Sequence, residues 1–64
     1  MGRNIATIVW DAELERMEVA YSHGHSHRVM ANQLVATVLA EDAGLTQIPA
    51  PPGVVHWIRE PADA

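Results

Sequence analysis

The chain has 64 residues and no cysteine, so it forms one small domain at most, and its limited core needs support from a metal or from self-association. Hydrophobic residues make up 48% of the chain and charged residues 19%, which is typical of a folded globular protein and not of a disordered segment. The net charge of -4 makes nucleic-acid phosphates and anionic lipids poor partners and favours basic or neutral proteins.

The first third of the chain predicts two β-strands. Residues 4–10 are rich in β-branched and aromatic side chains, and apolar groups on both faces suggest that this strand is covered on two sides or packs on a partner chain. Residues 16–22 alternate, with Met17, Val19 and Tyr21 on one face. The link from Asp11 to Glu15 leaves two alternatives: a hairpin loop, or the start of a helix that Asp11 caps.

The histidine-rich segment 22–27 (SHGHSH) predicts the tip of a second hairpin, because Gly24 tolerates a positive φ. A three-residue loop at positions 23–25 pairs Val19 with Val29, whereas a two-residue loop sets Val19 opposite Arg28. We therefore expect a loop of odd length and a third strand after it.

A helix is predicted to begin at Ala31 or Asn32, where the hydrophobic period changes. The side of this helix opposite its large apolar residues is a smooth, alanine-rich surface that permits close backbone approach. Gly44 followed by Leu45 predicts that the helix ends in a Schellman motif. One stripe of larger apolar side chains is expected to anchor the core: Leu34, Val35, Val38 and Leu39.

The C-terminal part predicts a connector and one more strand. Residues 48–53 contain three prolines and favour an extended connector. Residues 54–58 predict a short apolar strand, and Pro61 and a polar tail follow it. We expect this strand to add to a sheet edge in this chain or in another copy. The predicted fold is a small α+β domain: an antiparallel β-meander of three strands packed by one helix over residues 1–47, then a proline-rich connector and C-terminal strand or arm over residues 48–64.

Residues 4 to about 44 resemble the small KTSC domains. The resemblance consists of IxxIxWD at residues 5–11, MEVxY at residues 17–21, a glycine-bearing turn, a third strand and an alanine-rich helix. It implies a β-meander capped by one helix. It also implies an RNA-binding accessory role, since these domains occur alone or at the end of lysyl-tRNA synthetases and have been suggested to bind RNA.

The histidines are the candidate metal ligands. His23, His25 and His27 share a face if the backbone stays extended, and His56 could complete a tetrahedral set for zinc or nickel. A tight hairpin would instead split the imidazoles between the loop tip and the sheet face, which leaves a plain polar turn. A pH-dependent contact is a third alternative, because histidine changes charge near neutral pH.

Catalysis is not expected, because a chain of this size scarcely encloses the apolar cleft that a general acid needs. Tryptophan is enriched at interface hot spots, and Trp57 lies on a late strand where burial in one small domain is hardest. We therefore expect Trp57, with Val55, Ile58 and Trp10, to bind a partner protein.

The predicted function is a small non-catalytic interaction module that acts as a homodimer and binds and modulates a larger partner protein, as a phage-type accessory protein would. An RNA-binding accessory domain and a histidine-based metal-binding protein are the alternatives. No apolar run approaches the roughly 18 residues that span a bilayer, and the N-terminus lacks a leader pattern, so we expect a soluble, cytoplasmic protein with no membrane partner.

Overall fold

The computed structural model describes residues 4–60, in which a five-stranded antiparallel sheet carries one helix on one face. The order across the sheet is β3-β2-β1-β5-β4, so β3 and β4 are the edges. The predicted α+β class is confirmed, with five strands where the sequence predicted three and an arm. The elements are β1 (Ile5–Asp11), β2 (Arg16–Tyr21), β3 (Ser26–Met30), α1 (Gln33–Asp42), β4 (Thr46–Ile48) and β5 (Val54–Ile58).

The link between β1 and β2 is a hairpin loop. Asp11 pairs with Arg16 across the end of the ladder. The Asp11 carboxylate accepts hydrogen bonds from the backbone N–H groups of Glu13 at 2.8 Å and Leu14 at 3.3 Å. Asp11 thus satisfies turn donors as a helix N-cap would, but no helix follows, and the hairpin alternative is correct.

A β-bulge decides which side chains β1 buries. The register shifts between Ile5 and Thr7, which leaves Ala6 as the extra residue. Ile5 therefore joins Ile8 and Trp10 in the core, although strict alternation placed it on the opposite face. That opposite face carries no second layer among residues 4–60, so the predicted cover on both sides of β1 is not found there.

The hairpin between β2 and β3 reverses at residues 22–24. The Tyr21 N–H donates to the His25 carbonyl at 2.7 Å, and the Gly24 N–H donates to the Tyr21 carbonyl at 3.0 Å. Gly24 has φ of 102°, and a three-residue loop needs its positive φ at the last position. The odd loop length is confirmed, but the loop begins one residue earlier than expected.

This earlier loop shifts the β2–β3 register by two residues. Val19 pairs with His27, and Met17 pairs with Val29. Because the shift is even, His27 and Val29 stay on the predicted face of the hairpin, the face of Met17 and Val19, and both of these β2 residues are buried.

The ends of α1 follow from local side-chain and backbone signals. The Asn32 carboxamide caps the N-terminus by accepting from the N–H three residues on, at 2.8 Å. At the C-terminus, Gly44 has φ of 77°, and the Leu45 N–H donates to the Ala40 carbonyl at 2.9 Å. This is the predicted Schellman ending.

α1 packs on the sheet through its alanines, so the predicted core stripe is wrong. Ala36 and Ala40 are fully buried and Ala43 is 6% exposed. Small side chains let the helix backbone lie close to a sheet that already supplies large ones, Trp10 and Trp57 among them. Of the four stripe residues, Leu39 alone packs against the core, and three point outward: Leu34, Val35 and Val38.

β5 adds to the sheet of this chain at the β1 edge of the meander, as predicted, and β4 pairs with its other side, so β5 lies inside the sheet. It pairs with β1 along its length, and it brings Trp57 into the core at 3% exposure. Arg59 extends this connection, because its side chain donates to the carbonyls of Ile5 at 3.0 Å and Ala43 at 2.7 Å. The segment predicted as an arm thus contributes to the main sheet as far as the structure describes it, whereas the predicted tail from Pro61 lies outside the described residues.

Candidate functional site

The outer face of α1, which consists of Leu34, Val35 and Val38, is a solvent-exposed apolar surface. Successive helix residues turn by about 100°, so Leu34 and Val38 lie opposite the alanines that contact the sheet. Their exposed fractions are 70% and 58%, and that of Val35 is 49%. Large aliphatic side chains grouped on one helix face are typical of a surface that another protein covers.

Apolar exposure continues into the strand that precedes the helix. Val29 is 38% exposed and Met30 is 72% exposed at the end of β3. Apart from Leu14, every exposed large hydrophobic residue found in the described part of the chain falls within residues 29–38. The exposed apolar surface is therefore concentrated in one short segment.

Acidic side chains stand at the end of α1. Glu41 and Asp42 lie in its last turn, where there is no basic residue, and its first turn has no acidic residue. This distribution opposes the helix dipole, which favours cations at the C-terminus and anions at the N-terminus. In a single chain, the interaction of these two carboxylates with the helix dipole does not stabilise the helix.

β3 is exposed along its whole length and on both faces. At its centre, Arg28 lies opposite Glu18 on β2, with 3.7 Å between the guanidinium Nε and the carboxylate Oε1. This pair is largely solvent-exposed, so it contributes little to stability.

The predicted docking residues lie mostly inside the domain. Trp57 is 3% exposed and Trp10 is 9% exposed, and the Trp10 indole N–H donates to the Ala31 carbonyl at 2.7 Å. Val55 is half-buried against the core, and Ile58 is half-buried on the opposite face of the sheet. The expectation that Trp57 is exposed is wrong, because β4 and β1 flank β5 and the Trp57 side chain belongs to the core cluster that includes the helix alanines.

Three of the histidines gather around Tyr21 at the β2–β3 turn. The ring centroids of His23 and His25 are 5.0 Å apart, and those of His23 and His27 lie 5.8 Å and 5.4 Å from that of Tyr21. Within residues 4–60, no group of three or more histidine, aspartate or glutamate side chains is arranged to hold a metal ion.

His56 lies on the other face of the sheet, so the predicted four-histidine set does not form. Its Nε2 is 2.9 Å from the Thr7 hydroxyl, and that hydroxyl donates its one hydrogen to the Trp57 carbonyl at 2.7 Å. The His56 nitrogen is therefore the donor in its contact with Thr7. This contact fixes the orientation of the His56 ring on the face of the sheet opposite the helix.

The sequence contained a signal for which face of α1 is buried, and therefore for which face is exposed. Ala36, Ala40 and Ala43 repeat at i, i+4 and i+7, the spacing of one helix face.

Comparison of the chain with protein-family models, curated proteins and solved structures finds no match, so the resemblance to KTSC domains stays a prediction. Within the described residues, no helix is long and apolar enough to cross a membrane.

Proposed function

We propose that this protein is a small, non-catalytic protein–protein interaction module of the cytoplasm, which self-associates through the outer face of α1 and binds a larger partner protein. The observation that supports this proposal is the orientation of the helix, with alanines inward and Leu34, Val35 and Val38 outward. Full burial of one such aliphatic side chain is worth about 1.5–3 kcal/mol. A protein surface placed over this face recovers part of that free energy.

Charge favours a second copy as the occupant of this face. In an antiparallel pair of α1 helices, Glu41 and Asp42 of each chain lie beside the N-terminus of the other helix, where the dipole attracts anions. A two-fold axis makes this contact twice. The acidic residues that are unfavourable in the single helix thus become favourable in the pair.

The contact area sets the expected strength of the dimer. α1 has ten residues and is therefore about 15 Å long, so one helix pair alone makes a small interface. Interfaces below about 1,200 Å² belong to weak or transient complexes. We expect a reversible dimer whose population rises with protein concentration.

Replacement of Val38 by aspartate tests the proposal. Val38→Asp puts a charge at the centre of the outer face, so it should convert the dimer to a monomer in sedimentation equilibrium. Because Val38 is 58% exposed, the circular dichroism spectrum of the variant should match that of the wild type.

The matched control is Ala12→Asp, which adds the same charge at an exposed turn between β1 and β2 and should leave the dimer intact. Two results would contradict the proposal: a wild-type chain that stays monomeric at the highest concentration reached, or a Val38→Asp variant that dimerises as strongly as the wild type.

A further inference from the structure

The outer edge of β3 carries a row of backbone groups that β2 does not use. The Tyr21 N–H bonds to the His25 carbonyl at one end of the hairpin, and the Ala31 N–H bonds to the Glu15 carbonyl at the other. In an antiparallel ladder, hydrogen-bonded pairs alternate with pairs that are not bonded. Between these two ends, three residues of β3 therefore point their N–H and C=O groups away from β2: Ser26, Arg28 and Met30.

The two edges of the sheet differ in how they are protected. β4 has three residues, and Pro49 follows it directly, with two further prolines in the connector. β3 has five residues with no proline or glycine, and no other strand of residues 4–60 lies beside its outer edge. Proteins usually block exposed edges with short strands, prolines, bulges or charged side chains. β3 has only one of these devices, the charged side chain of Arg28, so it is the more accessible edge.

A second copy fits this edge poorly. A two-fold antiparallel pairing that uses all three outward-facing residues places Arg28 opposite Arg28 of the other chain, and like charges in that position are destabilising. A pairing centred on His27 or Val29 avoids this clash, but it leaves one of the three outward-facing positions unpaired. The occupant that uses the whole edge is therefore a different segment.

We propose that the outer edge of β3 binds an extended segment of a partner protein as a sixth, antiparallel strand, with an acidic side chain of that segment opposite Arg28. Arg28 then has a carboxylate on each side, because Glu18 already lies opposite it on β2. Val29 and Met30 are exposed on the two faces of β3, so the partner residues opposite them are apolar. This mode of binding relies on main-chain hydrogen bonds for affinity and on alternate side chains for specificity.

This inference rests on the proposed interaction function and specifies the chemistry of the partner. The probe is the capped peptide Ile-Val-Glu-Thr-Thr, whose residues lie opposite Met30 through Ser26 in antiparallel order. In an NMR titration it should slow hydrogen exchange at the amides of Ser26, Arg28 and Met30. The Gln47 amide on β4 at the other edge should not change.

Methylation of single peptide nitrogens distinguishes strand pairing from nonspecific binding of the peptide. The glutamate nitrogen of the bound peptide faces β3, and the valine nitrogen faces away. Methylation at glutamate should abolish the exchange protection, whereas methylation at valine should preserve it. Equal effects of the two methyl groups would overturn the proposal.

Charge exchange tests the contact with Arg28. A peptide with arginine in place of its glutamate should bind roughly 3- to 10-fold more weakly, the range expected for a cross-strand charge pair. The Arg28→Gln variant should bind both peptides equally. A wild-type protein that does not discriminate between the peptides would contradict the acidic preference.

The titration is repeated on the Val38→Asp variant, so that failure of the β3 proposal can be distinguished from failure of the proposed α1 dimer. Peptide binding by that variant supports the β3 proposal even if the helix contact does not exist. A stable α1 dimer that shows no peptide protection overturns the β3 proposal and leaves the dimer intact. Exchange protection of the β3 amides that rises with protein concentration alone would assign this edge to a second copy.

Discussion

Gly24 determines where the β2–β3 hairpin reverses. Its φ of 102° lies in a region that side-chain-bearing residues rarely adopt. No heavy atom lies within 4 Å of the position that a Cβ would take at Gly24. The requirement for glycine is therefore one of backbone conformation and not of space.

We expect Gly24→Ala to lower the free energy of unfolding by about 1–3 kcal/mol, the range for a residue held in a disfavoured backbone region. Gly24→Asn should lose less, because asparagine tolerates positive φ better. Urea denaturation of the three proteins measures the difference. Equal stabilities for wild type and Gly24→Ala would show that the loop adopts another conformation in solution.

At the level of the element, α1 shows why hydrophobic periodicity misassigned a helix face. The stripe with the larger side chains was predicted to be the core side because burying it yields more free energy. The sheet, however, presents tryptophans and isoleucines, and only alanines leave room for the helix over them. The C-terminal end was predicted correctly and the start was placed one or two residues before Gln33, because both ends depend on contacts within a few residues, those of Gly44 and Asn32.

We expect Ala40→Leu to destabilise the fold by about 1–3 kcal/mol, because Ala40 is fully buried and a larger side chain forces the helix off the sheet. Val38→Ala on the outer face is the matched control and should change the free energy of unfolding of the monomer by less than about 0.5 kcal/mol. Chemical denaturation at low protein concentration compares the two. A larger effect from Val38→Ala would mean that the predicted stripe, and not the alanine face, contacts the sheet.

At the level of the whole molecule, the sequence predicted the parts better than their arrangement. The two hairpins and the helix depend on turn and cap residues close together in the chain, such as Asp11 and Gly24. The position of β5 between β1 and β4 depends on pairing between residues about 50 positions apart, such as Thr7 and Ile58, and no local pattern specifies it. The burial of Trp57, and with it the location of the exposed surface, follows from that pairing.

The proposed association is also a property of the whole molecule. It buries the apolar outer face of α1, and it places the acidic C-terminus of each helix beside the N-terminus of the other, where the charges become favourable. The most direct test mixes two single-cysteine variants, Leu34→Cys and Val38→Cys, in a glutathione redox buffer, which the absence of native cysteine makes clean. In an antiparallel helix pair, position 34 of one chain lies beside position 38 of the other. We predict that the mixed 34–38 disulfide dimer accumulates well above the random proportion, and a random mixture of the three dimers, or no more disulfide than an Ala12→Cys control forms, would contradict the proposed association.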